Sequence, residues 1–199
     1  YLYDEDRWPS GSAGGLVTKE QKYRTRFLVF SPAGYEETQE NAYMAAAKAV
    51  RSQNRKPLAY YKVALDGRGC LKSFERLRET PEKTEDIWEA FLEISGDTPW
   101  FNNQAYVNTM DEKAIRRFLD VTHERYFQEL GDDFGTEIRS IFTDEPQTTH
   151  MGMARTPFER KPIIMPYTDD FDESFQAVYG YSVLDFLPFL FFESENTEG

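Results

Sequence analysis

Cysteine is almost missing from these 199 residues: Cys70 stands alone, which excludes an internal disulfide and any metal site built from several thiolates. Histidine is nearly as scarce, and the wide separation of His123 from His150 argues against zinc. Positive charge is also short, with 23 Lys and Arg against 35 Asp and Glu and a formal net charge of -12. A field of that sign repels phosphates, so neither nucleic acid nor an anionic membrane surface is an expected partner. No apolar run approaches the roughly 20 residues of a membrane span. The first residues, Tyr1-Leu2-Tyr3-Asp4-Glu5, have neither the basic start nor the apolar centre of a secretion signal. One cysteine and no visible leader favour a cytoplasmic location over secretion, although a chain that does not begin with Met leaves room upstream for a targeting segment.

Aromatic residues are plentiful. They make up 16% of the chain, with 16 Phe, 12 Tyr and 3 Trp, and that much ring area predicts a packed body in place of a disordered chain. The length suits one ordinary domain, or a large part of a barrel that typically needs roughly 250 residues. Apolar patterning predicts strands over 1–5, 24–31 and 138–143, and a helix over 36–51 carrying Ala45-Ala46-Ala47. Two-residue alternation predicts strands near 58–65, 70–77 and 87–95, the first two joined by Asp66-Gly67-Arg68-Gly69.

Asp111 is a good N-cap for a helix reaching about Leu130, where Gly131 ends it. Residues 147–168 read as a long loop, 172–179 as a helix stopped by Gly180, and 183–192 as an apolar helix kinked or entered at Pro188. Helix, then strand, then a carboxylate-bearing loop is the order of α/β folds. The expected class is therefore α/β: a partial (β/α)8 TIM-type barrel occupying residues 1–199, with a small antiparallel β insertion at about 58–95.

Two carboxylate pairs, Asp4 with Glu5 and Asp144 with Glu145, stand at predicted strand ends, the rim where barrel enzymes work. A carboxyl crowded by a second one holds its proton more tightly, as a general acid at neutral pH must. Glu145 is thus the candidate acid and Asp144 its tuning partner; the alternative is that Asp144 caps the next segment and Glu145 is solvated. Trp8 and Trp100 sit in loops beside polar groups, which suits stacking on a sugar ring, while plain loop packing is the bland account. Asn102, Asn103 and Gln104 offer hydroxyl recognition or merely build turns. His123, followed by Glu124, lacks the second histidine one turn on that a zinc-protease motif requires; it reads as a partly exposed helix residue pairing with a carboxylate. Gly11, Gly14 and Gly15 match neither phosphate-binding fingerprint.

Taken together, Tyr3-Asp4-Glu5-Asp6-Arg7-Trp8-Pro9-Ser10-Gly11-Ser12-Ala13-Gly14-Gly15, Trp100-Phe101-Asn102-Asn103-Gln104, Thr122-His123-Glu124-Arg125-Tyr126 and Phe142-Thr143-Asp144-Glu145-Pro146 closely resemble segments of bacterial glycoside hydrolases related to the α-L-rhamnosidases of family 106. The resemblance covers the chain from residue 1 to about residue 190. It implies a barrel with an oligosaccharide or glycoside bound on its rim, with Glu145 where related enzymes carry their proton donor. It also implies that Asp4, Glu5 and Trp8 hold the terminal sugar. The rhamnosidases are thought to invert configuration and to use a calcium ion, for which the resemblance assigns no ligand among these residues. Glycosidases of this kind need two carboxyl groups roughly 5 to 9.5 Å apart, and the second is expected from a later strand. The chain by itself is accordingly expected to be inactive, and a non-catalytic sugar-binding or truncated scaffold protein is the alternative.

Overall fold

Every position of Arg26–Pro32 is buried, the pattern of a strand covered on both faces, where alternation disappears because neither face meets water. The computed structural model describes residues 1–4, 11–35, 55–143, 146 and 160–194. Their strands are β1 (Leu2–Tyr3), β2 (Arg26–Pro32), β3 (Lys56–Leu65), β4 (Leu71–Leu77), β5 (Ile87–Ile94), β6 (Ile141–Phe142) and β7 (Ile163–Tyr167). Three short α-helices accompany them: α1 (Glu112–Val121), α2 (His123–Leu130) and α3 (Phe171–Tyr179). The chain divides into two compact units. Among the described residues the first comprises 1–4, 11–26, 94–143 and 146, and the second 27–35, 55–93 and 160–194.

The principal sheet has five strands in the order β4-β3-β5-β2-β7. β3 pairs antiparallel with both β4 and β5. Ala33 N–H donates to Ile87 O and Ser95 N–H to Thr25 O, each at 2.9 Å, so β2 also runs antiparallel to β5. This overturns the expected α/β class and the partial (β/α)8 barrel. Such a barrel sets successive parallel strands side by side with a helix between each pair, whereas β3, β4 and β5 follow one another through short connections and pair antiparallel. The strands read as a small insertion are the body of a β-rich fold. The misreading has a physical source: alternation identifies a strand, but it carries no information on which other strands will join it.

Local chemistry explains the individual elements. On β3, Ala59, Tyr61 and Val63 are buried while Lys62 and Ala64 between and beyond them are exposed, the period of two that gives a strand one dry face. The β3–β4 turn is held by Asp66, whose Oδ1 accepts the N–H groups of Arg68 and Cys70 at 2.8 Å each. Those bonds, that from Cys70 foremost, lower the Asp66 pKa to about 2. In the core of the second unit, the Phe30 ring stacks on Trp88 at 4.9 Å and on Phe191 at 5.1 Å between centroids. Burial of each such ring stabilises by about 1.5 to 3 kcal/mol. Tyr61 donates its hydroxyl to Leu184 O at 2.5 Å, which pins the 183–190 segment to the sheet. That segment forms two 3-10 turns, Val183–Asp185 and Leu187–Leu190, where a helix kinked or entered at Pro188 was expected: Pro188, lacking an N–H, prevents a continuous run of helical bonds.

In the first unit, Val17, Tyr106, Val107, Ala114 and Phe118 form a second core cluster. The helix expected from Asp111 to Leu130 is broken at Thr122, whose φ of -120° and ψ of -85° fall outside the helical range. Its hydroxyl donates back to Phe118 O at 2.6 Å, the local bond by which threonine competes with helix geometry. Asp111 caps α1 as expected, accepting from Lys113 N–H at 2.9 Å. The helix expected over 36–51 lies outside the described residues, and no described helix is long and apolar enough to cross a membrane.

Candidate functional site

The first unit carries a parallel strand pair. Leu2 is in register with Ile141 and Tyr3 with Phe142. Leu2 N–H donates to Ser140 O at 2.9 Å and Asp4 N–H to Phe142 O at 3.1 Å. Because the strands run the same way, their carboxyl ends lie side by side, and the next residue on each strand, Asp4 and Thr143, comes to the same edge. The Thr143 hydroxyl donates to Asp4 Oδ2.

Asp4 is only 3% exposed. Its Oδ2 also lies 3.2 Å from His123 Nε2, at the first residue of α2. That contact places a proton on Nε2, since a carboxylate only accepts. The imidazole is fixed from two further directions: its ring meets Phe118 edge-on with centroids 5.6 Å apart, and Nδ1 lies 3.5 Å from the Thr122 hydroxyl oxygen. One turn along α2, Tyr126 donates its hydroxyl to Tyr3 O at 3.3 Å, tying the helix to the strand that presents Asp4.

The other oxygen of this carboxylate is different. Asp4 Oδ1 is buried and has no hydrogen-bond partner among the described residues. A buried oxygen without a donor is costly, and a group kept in that condition next to a fixed histidine and hydroxyl has acceptor capacity for a further polar group.

Of the residues singled out from the sequence, Asp4 is therefore at the centre of a built polar cluster. Glu5, Trp8, Asp144 and Glu145 lie outside the described residues, as does the side chain of Trp100. By chain connectivity Glu5 follows Asp4, and Asp144 and Glu145 follow Thr143. Asn102 and Asn103 are exposed, each with φ of 56°, left-handed backbone that asparagine tolerates better than most residues. Gln104 accepts the Ser12 hydroxyl at 2.6 Å on its side-chain oxygen, so it braces the loop at 11–19 against the turn at 99–104. Sequence reading anticipated a carboxylate partner for His123 without identifying Asp4, and gave Thr143 and Tyr126 no part in a site. Both fall inside segments that carry the family resemblance, the one signal that pointed to them.

Among the described residues no group of three or more His, Cys, Asp or Glu side chains is placed to hold a metal ion. The calcium ion implied by the resemblance finds no ligand set there, and the chemistry below is independent of it. No protein-family model matches the chain, and neither a curated protein nor a solved structure does so.

Proposed function

We propose that this chain is part of a carbohydrate-active protein of glycoside hydrolase type, with Glu145 as the acid that protonates the leaving oxygen and Asp144 as its tuning partner. What supports this is one observation: the hydrogen bond from Thr143 to Asp4 joins the two segments of the chain that carry paired carboxylates. Glycosidic hydrolysis needs a proton donor and a second carboxyl group within several ångströms. A parallel strand pair ending in Asp4 on one side and Thr143 on the other is a simple way to bring two acidic segments to a common edge.

In this scheme Asp4, held on Oδ2 by Thr143 and His123, keeps Oδ1 as an acceptor for a sugar hydroxyl, the kind of directional contact that orients a ring for attack. Asp4 is then a substrate-binding group. Glu5 and Trp8, next along the chain, fit the same sugar-holding role, Trp8 by stacking on the apolar face of a pyranose.

The test compares glycosides with poor and good leaving groups in the intact protein. Glu145→Gln should reduce turnover of an alkyl or sugar leaving group roughly a hundredfold or more, and turnover of a nitrophenyl glycoside much less, because the latter departs without protonation. Equal rates for wild type and Glu145→Gln on the poor leaving group would refute the acid assignment. Tight oligosaccharide binding with no turnover on any glycoside would replace the enzyme by a sugar-binding protein.

A further inference from the structure

In the second unit β4 stops at Leu77, paired with Tyr60, while β3 extends back to Lys56. Residues 57–59 of β3 therefore have no β4 neighbour, and a groove of about 600 Å³ opens beside them, with Arg76, Arg78, Thr80 and Asp185 among its lining residues. That volume is in the range that accepts a small ligand.

The charges in the groove are unevenly used. Arg76 Nη1 donates to Asp185 Oδ1 at 2.5 Å, so these two neutralise each other. Arg78 makes no ion pair or hydrogen bond among the described residues. In a chain whose formal net charge is -12, the groove thus holds two guanidinium groups against one carboxylate, a local excess of a single positive charge. A guanidinium fork matches a carboxylate in plane, with two parallel bonds.

Asp185 decides what else the ligand must carry. Its carboxylate repels a dianion such as phosphate, yet it accepts hydrogen bonds from neutral hydroxyl groups. Thr80 adds a hydroxyl that donates or accepts. An uncharged sugar would leave Arg78 unused, and a bare anion would leave Asp185 and Thr80 unused.

We propose that this groove is a binding site for a ligand with one carboxylate and neighbouring hydroxyl groups, taken up with its carboxylate on Arg78 and Arg76 and a hydroxyl on Asp185. That chemistry is shared by a uronic acid residue of an oligosaccharide and a free hydroxy acid. The site uses none of the residues assigned to glycoside hydrolysis, so the two proposals stand or fall separately.

Calorimetric titration of the protein with galacturonate, digalacturonate, gluconate, galactose and inorganic phosphate tests it. Galacturonate or gluconate should bind at least about tenfold more tightly than galactose, and added salt should weaken that binding because the groove is open to water. Arg78→Gln should weaken carboxylate binding about tenfold, a loss corresponding to about 1.4 kcal/mol, and leave galactose unaffected. Arg78→Lys, which keeps the charge and loses the fork, should fall between. Since Arg78 is exposed and lies just past the end of β4, an unchanged near-UV spectrum is expected for both variants. Digalacturonate binding more tightly than either monomer assigns the site to a saccharide; gluconate binding as tightly as digalacturonate assigns it to a free acid. Equal affinity for galactose and galacturonate, full affinity in Arg78→Gln, or binding of phosphate alone would overturn the proposal.

Discussion

Asp4 and His123 meet at 3.2 Å between Oδ2 and Nε2, one at the end of the two-residue strand β1 and the other at the start of α2. With so short a strand pair, backbone bonds alone are a weak tether. The carboxylate adds side-chain links from β1 to β6 through Thr143 and to α2 through His123, beside the Tyr126 hydroxyl bond to Tyr3 O.

A double-mutant cycle tests that role. Asp4→Asn and Thr143→Val are each expected to destabilise the first unit, and their combined effect should be smaller than the sum. Hydrogen bonds to a charged group are worth about 1.5 to 3 kcal/mol, so the coupling measured by denaturant unfolding should be about 1 kcal/mol or more. His123→Gln, which keeps a donor, should be milder than His123→Leu. Strict additivity of Asp4→Asn and Thr143→Val would show that the two side chains do not act together.

Legibility of this cluster in the sequence was partial, and for identifiable reasons. Asp4 stood out because an acidic residue closing an apolar strand is a local pattern. Its partners were hidden because Thr143 and His123 acquire meaning only from a parallel pairing between chain segments far apart in sequence. The same limit explains the fold. Residues 58–65, 70–77 and 87–95 declared themselves as strands through alternation, but β2, which joins them in one sheet, lies elsewhere in the chain and carries no mark of its neighbours, and Ile163–Tyr167, which forms β7 of that sheet, falls in the stretch 147–168 that read as a long loop. Threonine at position 122 fell inside the single helix expected from Asp111 to about Leu130, and its back-bond to Phe118 is a choice that propensity alone does not reveal.

Gly11 offers a test of the loop that Gln104 braces. Its φ is +83°, and a Cβ built there would overlap the Val107 side chain. Gly11→Ala combines a left-handed backbone penalty of about 1 to 2 kcal/mol with an overpacking penalty of about 1 to 3 kcal/mol. Gly15 has a similar φ of +88°, but its Cβ would lie 3.6 Å from Gln104 Oε1, ordinary contact. Gly15→Ala should therefore cost only the backbone part. Thermal unfolding is expected to rank Gly11→Ala well below Gly15→Ala, and adding Val107→Ala should return less than the full loss, because the backbone penalty remains.

Tyr61→Phe isolates one buried bond in the second unit. The substitution removes the hydroxyl that donates to Leu184 O and leaves that carbonyl without this donor, which costs about 1 to 3 kcal/mol. Because the ring stays and continues to meet Phe30 at 5.7 Å, the aromatic packing should persist. Denaturant unfolding at neutral pH is expected to show a lower midpoint with an unchanged slope. A changed slope would mean that the 183–190 segment had come away from the sheet.

Tyr167 gives the second unit an alkaline limit. It is 3% exposed, and burial foremost, reinforced by the negative charges of Asp172 and Asp169, raises its pKa from 10.0 to about 12. Tyr61 is raised as well, again chiefly by burial. In the folded protein the Tyr167 phenol keeps its proton to higher pH than in the unfolded chain. Between about 10 and about 12 the folded state binds more protons than the unfolded one, and stability falls as pH rises. The contribution is complete below about pH 10 and is lost as pH passes about 12. Unfolding midpoints measured across this interval should drop steeply in the wild type, and Tyr167→Phe, which has no proton to lose, should flatten the drop without abolishing it because Tyr61 titrates too. An identical pH dependence in wild type and Tyr167→Phe would show that the Tyr167 phenol ionises freely and that the face of β7 carrying it is open to water.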